Sequence, residues 1–111
     1  MSMRQTALSI EELIDAVSDT SVEKRCLFVN ELGVLYIEND GKEKEEAFRK
    51  LIELLNDKEE DVRYPAYLFL RDAPKNPDHT DETKKALKAF RENPDNKQVM
   101  AAIRRHDARR N

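Results

Sequence analysis

The residues able to carry out chemistry are few and widely separated in this chain. Its 111 residues include one cysteine, Cys26, and two histidines, His79 and His106. These are too few to assemble a structural zinc site of cysteines and histidines. His79 stands in a polar loop beside Thr80, which predicts a solvated imidazole. His106 precedes Asp107, but adjacent helical residues point in different directions and no partner nucleophile is recognisable. We therefore expect neither a catalytic nor a metal site.

Cys26 also bears on the compartment in which the protein works. A lone cysteine cannot form an internal disulfide, which is typical of a reducing cytosol. Its neighbours Leu27, Phe28 and Val29 predict a packed thiol, since a reactive one needs an accessible, electropositive setting. Residues 1–6 are polar, and no apolar run reaches the length of a signal-peptide core or a membrane span. The sequence therefore predicts a cytoplasmic protein that does not associate with membranes.

Glycines and carboxylates form no recognisable site either. The two glycines are isolated, so no glycine-rich loop is present to cradle a phosphate, and we expect no cofactor. Carboxylates are numerous, but acid–base or metal chemistry requires a convergent pair in a pocket. A solvated helix face is the simpler interpretation. Glu45 and Arg49, and likewise Glu46 and Lys50, have the i,i+4 spacing of surface ion pairs.

The distribution of charge suggests one alternative function. Residues 1–60 carry 8 basic and 15 acidic side chains, whereas residues 61–111 carry 12 and 8. The basic C-terminal patch consists of Arg104, Arg105, Arg109 and Arg110. Arg105 and Arg109 share a helical face, and such a patch would contact phosphates in a salt-dependent manner. Aromatic residues are not interleaved with it. Nucleic-acid binding through the basic C-terminal half is the alternative to a protein-binding function.

Capping signals and apolar stripes predict an all-α chain. Residues 9–12 and 20–23 both have the capping-box form, in which Ser9 or Thr20 precedes a glutamate by three positions. They open a short helix and a longer one. Asp40 is placed to cap a third helix. A fourth is expected to begin near Asp61, because the missing N–H of Pro65 is tolerated in a first helical turn.

Loops define the remaining boundaries. Residues 73–78 contain two prolines and predict the clearest loop of the chain. A fifth helix is expected from about Thr80 to Glu92. Residues 93–96 break it, and a sixth helix follows from Lys97 to roughly Arg109. No segment has the alternation expected of a strand.

An internal repeat relates the first two parts of the chain. Shifting the sequence by 38 residues aligns residues 10–35 with 48–73 without a gap. The shift pairs Arg25 with Arg63 and Leu32 with Leu70. Each segment contains an apolar helix, a turn with an aspartate, and a second helix with an early arginine. One such hairpin cannot bury both faces of its helices, so adjacent hairpins are expected to stack.

The repeat has a recognisable family likeness. Residues 51–57, followed by Asp61-Val62-Arg63 and Ala66, resemble the HEAT repeat. In that family the turn aspartate and the arginine form a ladder of contacts between adjacent turns. The resemblance assigns that role to Asp19, Asp57, Arg25 and Arg63. The last unit departs from the pattern, because Asp95 fits the turn aspartate but no arginine occupies the matching position.

These features together predict a short α-α superhelix of about six helices. They would form three stacked antiparallel hairpins, of residues about 9–38, 42–73 and 79–110, within a single domain. The resemblance implies a non-catalytic protein–protein interaction or scaffold module without a cofactor. A homodimer formed through the ends of the superhelix is an arrangement that the sequence leaves open.

Candidate partner contacts lie on the second helices of the last two units. They are Tyr64, Tyr67, Arg71, Arg105 and Arg109. Tyrosine and arginine are over-represented at binding hot spots. Packing is the alternative role of Tyr67, and ordinary exposure is that of Tyr64 and Arg71. The chemistry of the partner is not specified by the sequence beyond its being a protein.

Overall fold

The computed structural model describes residues 21–73 and 76–110, and the regular secondary structure in these ranges is helical throughout. The α-helices are α1 (Val22–Glu38), α2 (Gly41–Leu55), α3 (Glu60–Asp72), α4 (Thr80–Glu92) and α5 (Lys97–Arg110), with a 3-10 turn at Pro94–Asn96 before α5. The prediction of an all-α chain is confirmed. The short helix expected after Ser9 lies outside the described residues, as does Asp19.

Two of the predicted helix caps differ in detail from those observed. The N-cap of α1 is Ser21, whose hydroxyl accepts the Lys24 N–H at 3.4 Å, one residue later than the expected Thr20. Asp40 occupies the N-cap position of α2, but its side chain makes no capping hydrogen bond. Gly41 follows with φ of 63°, a left-handed conformation that glycine adopts without strain. The turn between α1 and α2 therefore depends on Gly41 rather than on the carboxylate.

Pro65 lies deeper in its helix than the sequence suggests. Helix α3 begins at Glu60, so Pro65 is its sixth residue and lies beyond the first turn. A proline there removes the N–H that would pair with the Asp61 carbonyl. The Cys26 thiol of α1 donates to that carbonyl, with the sulfur 3.1 Å from the oxygen. Burial raises the pKa of Cys26, so the thiol keeps the proton that this bond requires. The expected packed thiol thus has a specific structural role.

The core is built around α3, which contacts each of the other four α-helices. The buried apolar residues of the core, within the described ranges, are Val29, Leu32, Tyr36, Ala47, Phe48, Leu51, Leu54, Leu55, Val62, Ala66, Tyr67, Leu70, Leu87, Phe90, Val99 and Ile103. They recur three to four residues apart along each helix, which gives each helix one apolar face. Because the other four α-helices all pack on α3, the position of α3 determines where the surfaces that they form with it lie.

Contacts near the helix ends define the direction in which neighbouring helices run. Arg25, near the start of α1, binds Asp57 just before α3, and Arg63, near the start of α3, donates to the Asp95 carbonyl just before α5. At the other end, Arg71 of α3 binds Asp107 of α5. Helices α1 and α5 therefore both run alongside α3 in the same direction as α3.

Helices α1 and α3 approach closely at Gly33. This residue is buried, and a Cβ atom placed on it would lie 2.7 Å from a ring carbon of Phe69. That separation is shorter than van der Waals contact. The Phe69 ring also packs edge-on against Tyr36, with centroids 6.2 Å apart. A glycine at position 33 is what allows the ring to lie between the two helices.

We predict that Gly33→Ala lowers the free energy of unfolding by about 1 kcal/mol, because overpacking outweighs the gain in helix propensity. Urea denaturation followed by circular dichroism measures this change. In a Phe69→Leu background the same substitution should be neutral or stabilising, because the ring is gone. A stabilising effect of Gly33→Ala in the otherwise unchanged protein would contradict the close approach.

Candidate functional site

An open groove runs between α3 and α5 on the surface where partner contacts were predicted. Its α3 wall is formed by Glu60, Asp61 and Tyr64, and its α5 wall by Gln98, Val99, Ala102 and Arg105. The groove encloses about 350 Å³. Because the two helices run in the same direction, each wall follows one helix from its first turn onward. Of the five predicted contact residues, the structure places Tyr64 and Arg105 together in this groove.

The groove carries opposite charges that its own side chains leave unpaired. Asp61 is exposed, and its carboxylate makes no ion pair within the described residues. Arg105, farther along α5, is also exposed and has no hydrogen-bonding or ionic partner in the same ranges. Tyr64, on the α3 wall, is half-buried, with its ring edge-on to His106 at a centroid distance of 6.3 Å. The groove therefore combines an anion, an aromatic ring and a cation.

The other three predicted contact residues lie elsewhere. Tyr67 is 3% exposed, and its ring lies 4.8 Å from that of Phe90, so packing is its role. Its hydroxyl accepts a bond from Arg91 at 3.4 Å. Arg71 binds both carboxylate oxygens of Asp107, at 2.9 and 3.0 Å, and fastens α3 to α5. Arg109 is exposed on α5, one turn beyond Arg105.

Polar contacts at the start of α3 link it to α1 and to the turn before α5. The Asp57 carboxylate accepts a hydrogen bond from Nη2 of Arg25 at 3.2 Å and another from the Glu59 N–H at 2.9 Å. Arg63 donates to the Asp57 carbonyl at 2.8 Å and to the Asp95 carbonyl at 3.4 Å. The contacts Arg25–Asp57 and Arg63–Asp95 each span 32 residues. Arg25 and Asp57, two of the four residues that the resemblance names as candidates, are therefore in contact.

His79 forms a second cluster, and the prediction that it is solvated is wrong. The residue is 5% exposed, and its ring stacks on Phe48 at a centroid distance of 4.0 Å. Its Nε2 lies 2.7 Å from a Glu45 oxygen, and its Nδ1 lies 3.1 Å from the Tyr36 hydroxyl. The loop before α4 folds over α2, which buries a histidine that the local sequence presents as polar.

Both ring nitrogens of His79 have side-chain partners, Glu45 at Nε2 and the Tyr36 hydroxyl at Nδ1. The bond from His79, assisted by Arg49, lowers the pKa of Glu45, and burial raises the pKa of Tyr36. Both ring nitrogens are therefore engaged by the protein, and the arrangement stabilises the loop before α4.

Ion pairs on α2 follow the sequence expectation in part. Arg49 binds Glu45 at 2.5 Å, as the i,i+4 spacing predicted, and also binds Glu82 of α4. The pair expected between Glu46 and Lys50 is not formed. Lys50 instead lies 2.9 Å from Glu53. The Arg49–Glu82 pair connects α2 to α4, and His79, which precedes α4, contacts Glu45 of α2.

Comparisons with known proteins return no match, whether the chain is set against protein-family models, curated proteins or solved structures. Within residues 21–73 and 76–110, no His, Cys, Asp or Glu side chains form a group of three suited to holding a metal ion. The helices in these ranges also include none long and apolar enough to span a membrane. The geometry of the groove and of the His79 cluster is therefore the basis for assigning a function.

We predict that Glu45→Gln lowers the free energy of unfolding at pH 7 by less than about 1 kcal/mol, because Glu45 is part-exposed. The pKa of Glu45 is lowered from 4.5 in the folded state. Its stabilising effect is therefore complete above that value and is lost as the pH falls through the lower, folded pKa. Denaturation at pH 7 and pH 3 should show the difference between the two proteins shrinking in acid.

The matched control is Glu46→Gln on the same helix. Glu46 makes no ion pair within the described residues, so this substitution should change stability little at either pH. Equal effects of the two substitutions, or a Glu45→Gln effect that grows in acid, would contradict the assigned link to His79.

Proposed function

We propose that this protein is a non-catalytic helical interaction module, built in the manner of HEAT repeats, that binds a segment of a protein partner in the groove between α3 and α5. Helices α2 and α3 would form one unit and α4 and α5 the next. The α1 helix would be the second half of the first unit. The observation that carries the proposal is the groove itself, which Tyr64 lines together with the unpaired charges of Asp61 and Arg105.

The repeat organisation has support from recurring contacts. Arg63 lies 38 residues after Arg25, and Asp95 lies 38 residues after Asp57, which is also the shift that aligns the sequence repeats. The contact of an early-helix arginine with the following turn recurs with the same spacing. Such nearest-neighbour contacts are typical of solenoids, in which each unit packs only on adjacent units. The common direction of α1, α3 and α5 also agrees with this organisation.

The charges of the groove define the chemistry of the partner. A matching segment would carry a basic residue opposite Glu60 and Asp61, and an acidic residue farther along opposite Arg105. Tyr64 would provide the central apolar contact, as buried aromatic residues do at many interfaces. Such a pattern fixes the direction and register of the bound segment, because a reversed segment would bring like charges together.

Nucleic-acid binding remains the alternative function, and the exposed Arg104, Arg105 and Arg109 are the observation in its favour. The acidic end of the groove opposes it, since Glu60 and Asp61 would repel phosphates. The two functions make different demands on neighbouring arginines. A phosphate-binding patch uses Arg104 and Arg105 additively, whereas groove binding depends on Arg105 alone because Arg104 does not line the groove.

We predict that a photo-crosslinking residue at Gln98 in the groove captures a protein partner in the source cell. The same residue at Lys88 on the exposed face of α4 should not. With the partner identified by mass spectrometry and purified, Arg105→Glu should weaken binding at least tenfold, because like charges then face each other. Arg104→Glu, which makes the same charge change one residue away, should leave affinity within about twofold.

Three outcomes would contradict the proposal. The first is capture of the same partner from both labelled positions, and the second is equal weakening by the two arginine substitutions. The third is binding of short duplex or single-stranded DNA, at low salt, that both substitutions weaken equally. The third outcome would instead establish the nucleic-acid alternative.

A further inference from the structure

A small cavity lies at the other end of α3, away from the groove. It encloses about 150 Å³ and is lined on its apolar side by Leu70 of α3, Leu87 of α4 and the ring of Tyr36. A cavity of this volume lined by apolar side chains is known to hold a single benzene ring. The wall formed by Tyr36 and His79 is rigid, because the two side chains are hydrogen-bonded to each other and both rings are buried. The volume and lining therefore match one small ring.

The polar lining of the cavity is cationic. Among the described residues that line it, Arg71 and Lys84 carry a charge and none is an aspartate or glutamate, although the chain as a whole carries a net charge of −3. Arg71 is already engaged by Asp72 and Asp107. Lys84 is exposed and makes no ion pair within the part of the chain that the structure describes. A ligand with a negative charge would therefore find a partner in Lys84.

The hydroxyl of Thr83 provides a second available polar group. It lines the cavity next to Lys84 and forms no hydrogen bond among the described residues. Thr83 lies in the first turn of α4, which also carries the acidic Asp81 and Glu82. The ammonium group of Lys84 and the unused hydroxyl of Thr83 are therefore the two groups available to a carboxylate.

We propose that this cavity binds a small aromatic carboxylate of about the size of benzoate. The ring would lie between Leu70 and Leu87, and the carboxylate would face Lys84 and Thr83. An inorganic phosphate would leave the apolar wall without a contact, and an organic cation would be repelled by the ammonium group of Lys84. Because none of the groove residues lines this cavity, the proposal is independent of the partner-binding function.

Titration of the isotope-labelled protein with sodium benzoate tests the proposal, with benzylamine as the ring-matched cation. Benzoate should produce saturable amide shifts concentrated in residues 76–87, with a dissociation constant on the order of millimolar. Benzylamine should produce none that saturate. Absence of saturable shifts up to about 20 mM benzoate, or equal binding of the two compounds, would overturn the proposal.

Two single-residue variants separate a specific site from general attraction to lysines. Lys84→Gln should weaken benzoate binding about fivefold to tenfold, whereas Lys85→Gln, on an adjacent exposed residue outside the cavity, should change it less than twofold. The amide spectrum of each variant reports directly whether its fold is retained. Equal effects of the two substitutions would overturn the assignment of Lys84.

Discussion

The carboxylate of Asp57 joins parts of the chain that are distant in sequence, and the arrangement of the helices depends on it. It binds Arg25 of α1 and accepts the Glu59 N–H at the start of α3, while the carbonyl of the same residue accepts a bond from Arg63. The Asp57 and Arg25 side chains are each only 12% exposed. A charge at that depth is costly unless it is paired and hydrogen-bonded, so this turn has one favourable arrangement.

The register fixed at this turn determines both candidate sites. Arg63 extends the contacts to the Asp95 carbonyl, which sets α5 alongside α3 and forms the groove with Tyr64 on one wall. At the opposite end of α3, Leu70 forms part of the cavity wall. A helix displaced by one residue would turn these side chains about 100° around its axis. The groove and the cavity are therefore both consequences of how α3 is held.

Features that depend on neighbouring residues were predictable, and features that depend on tertiary contact were not. Apolar spacing and loop residues gave the bounds of α4 and nearly those of α5. The repeat shift paired Arg25 with Arg63, and the HEAT resemblance named Arg25 and Asp57 among four candidates for contacts between adjacent turns. By contrast, nothing local to His79 indicates that its loop covers Phe48, and nothing near Pro65 reveals the thiol of Cys26. Half-buried Tyr64 and exposed Arg105 could be named as candidates, but only the folded chain brings them to one groove.

The most direct test of this account is a double-mutant cycle on Arg25 and Asp57, measured by urea denaturation. The substitutions Arg25→Met and Asp57→Asn preserve approximate size, and asparagine can still accept the Glu59 N–H. We expect a coupling energy of about 1–3 kcal/mol, because each single change removes the ion pair between two poorly exposed side chains. Additive effects, with coupling below about 0.3 kcal/mol, would contradict the claim that this contact sets α1 against α3.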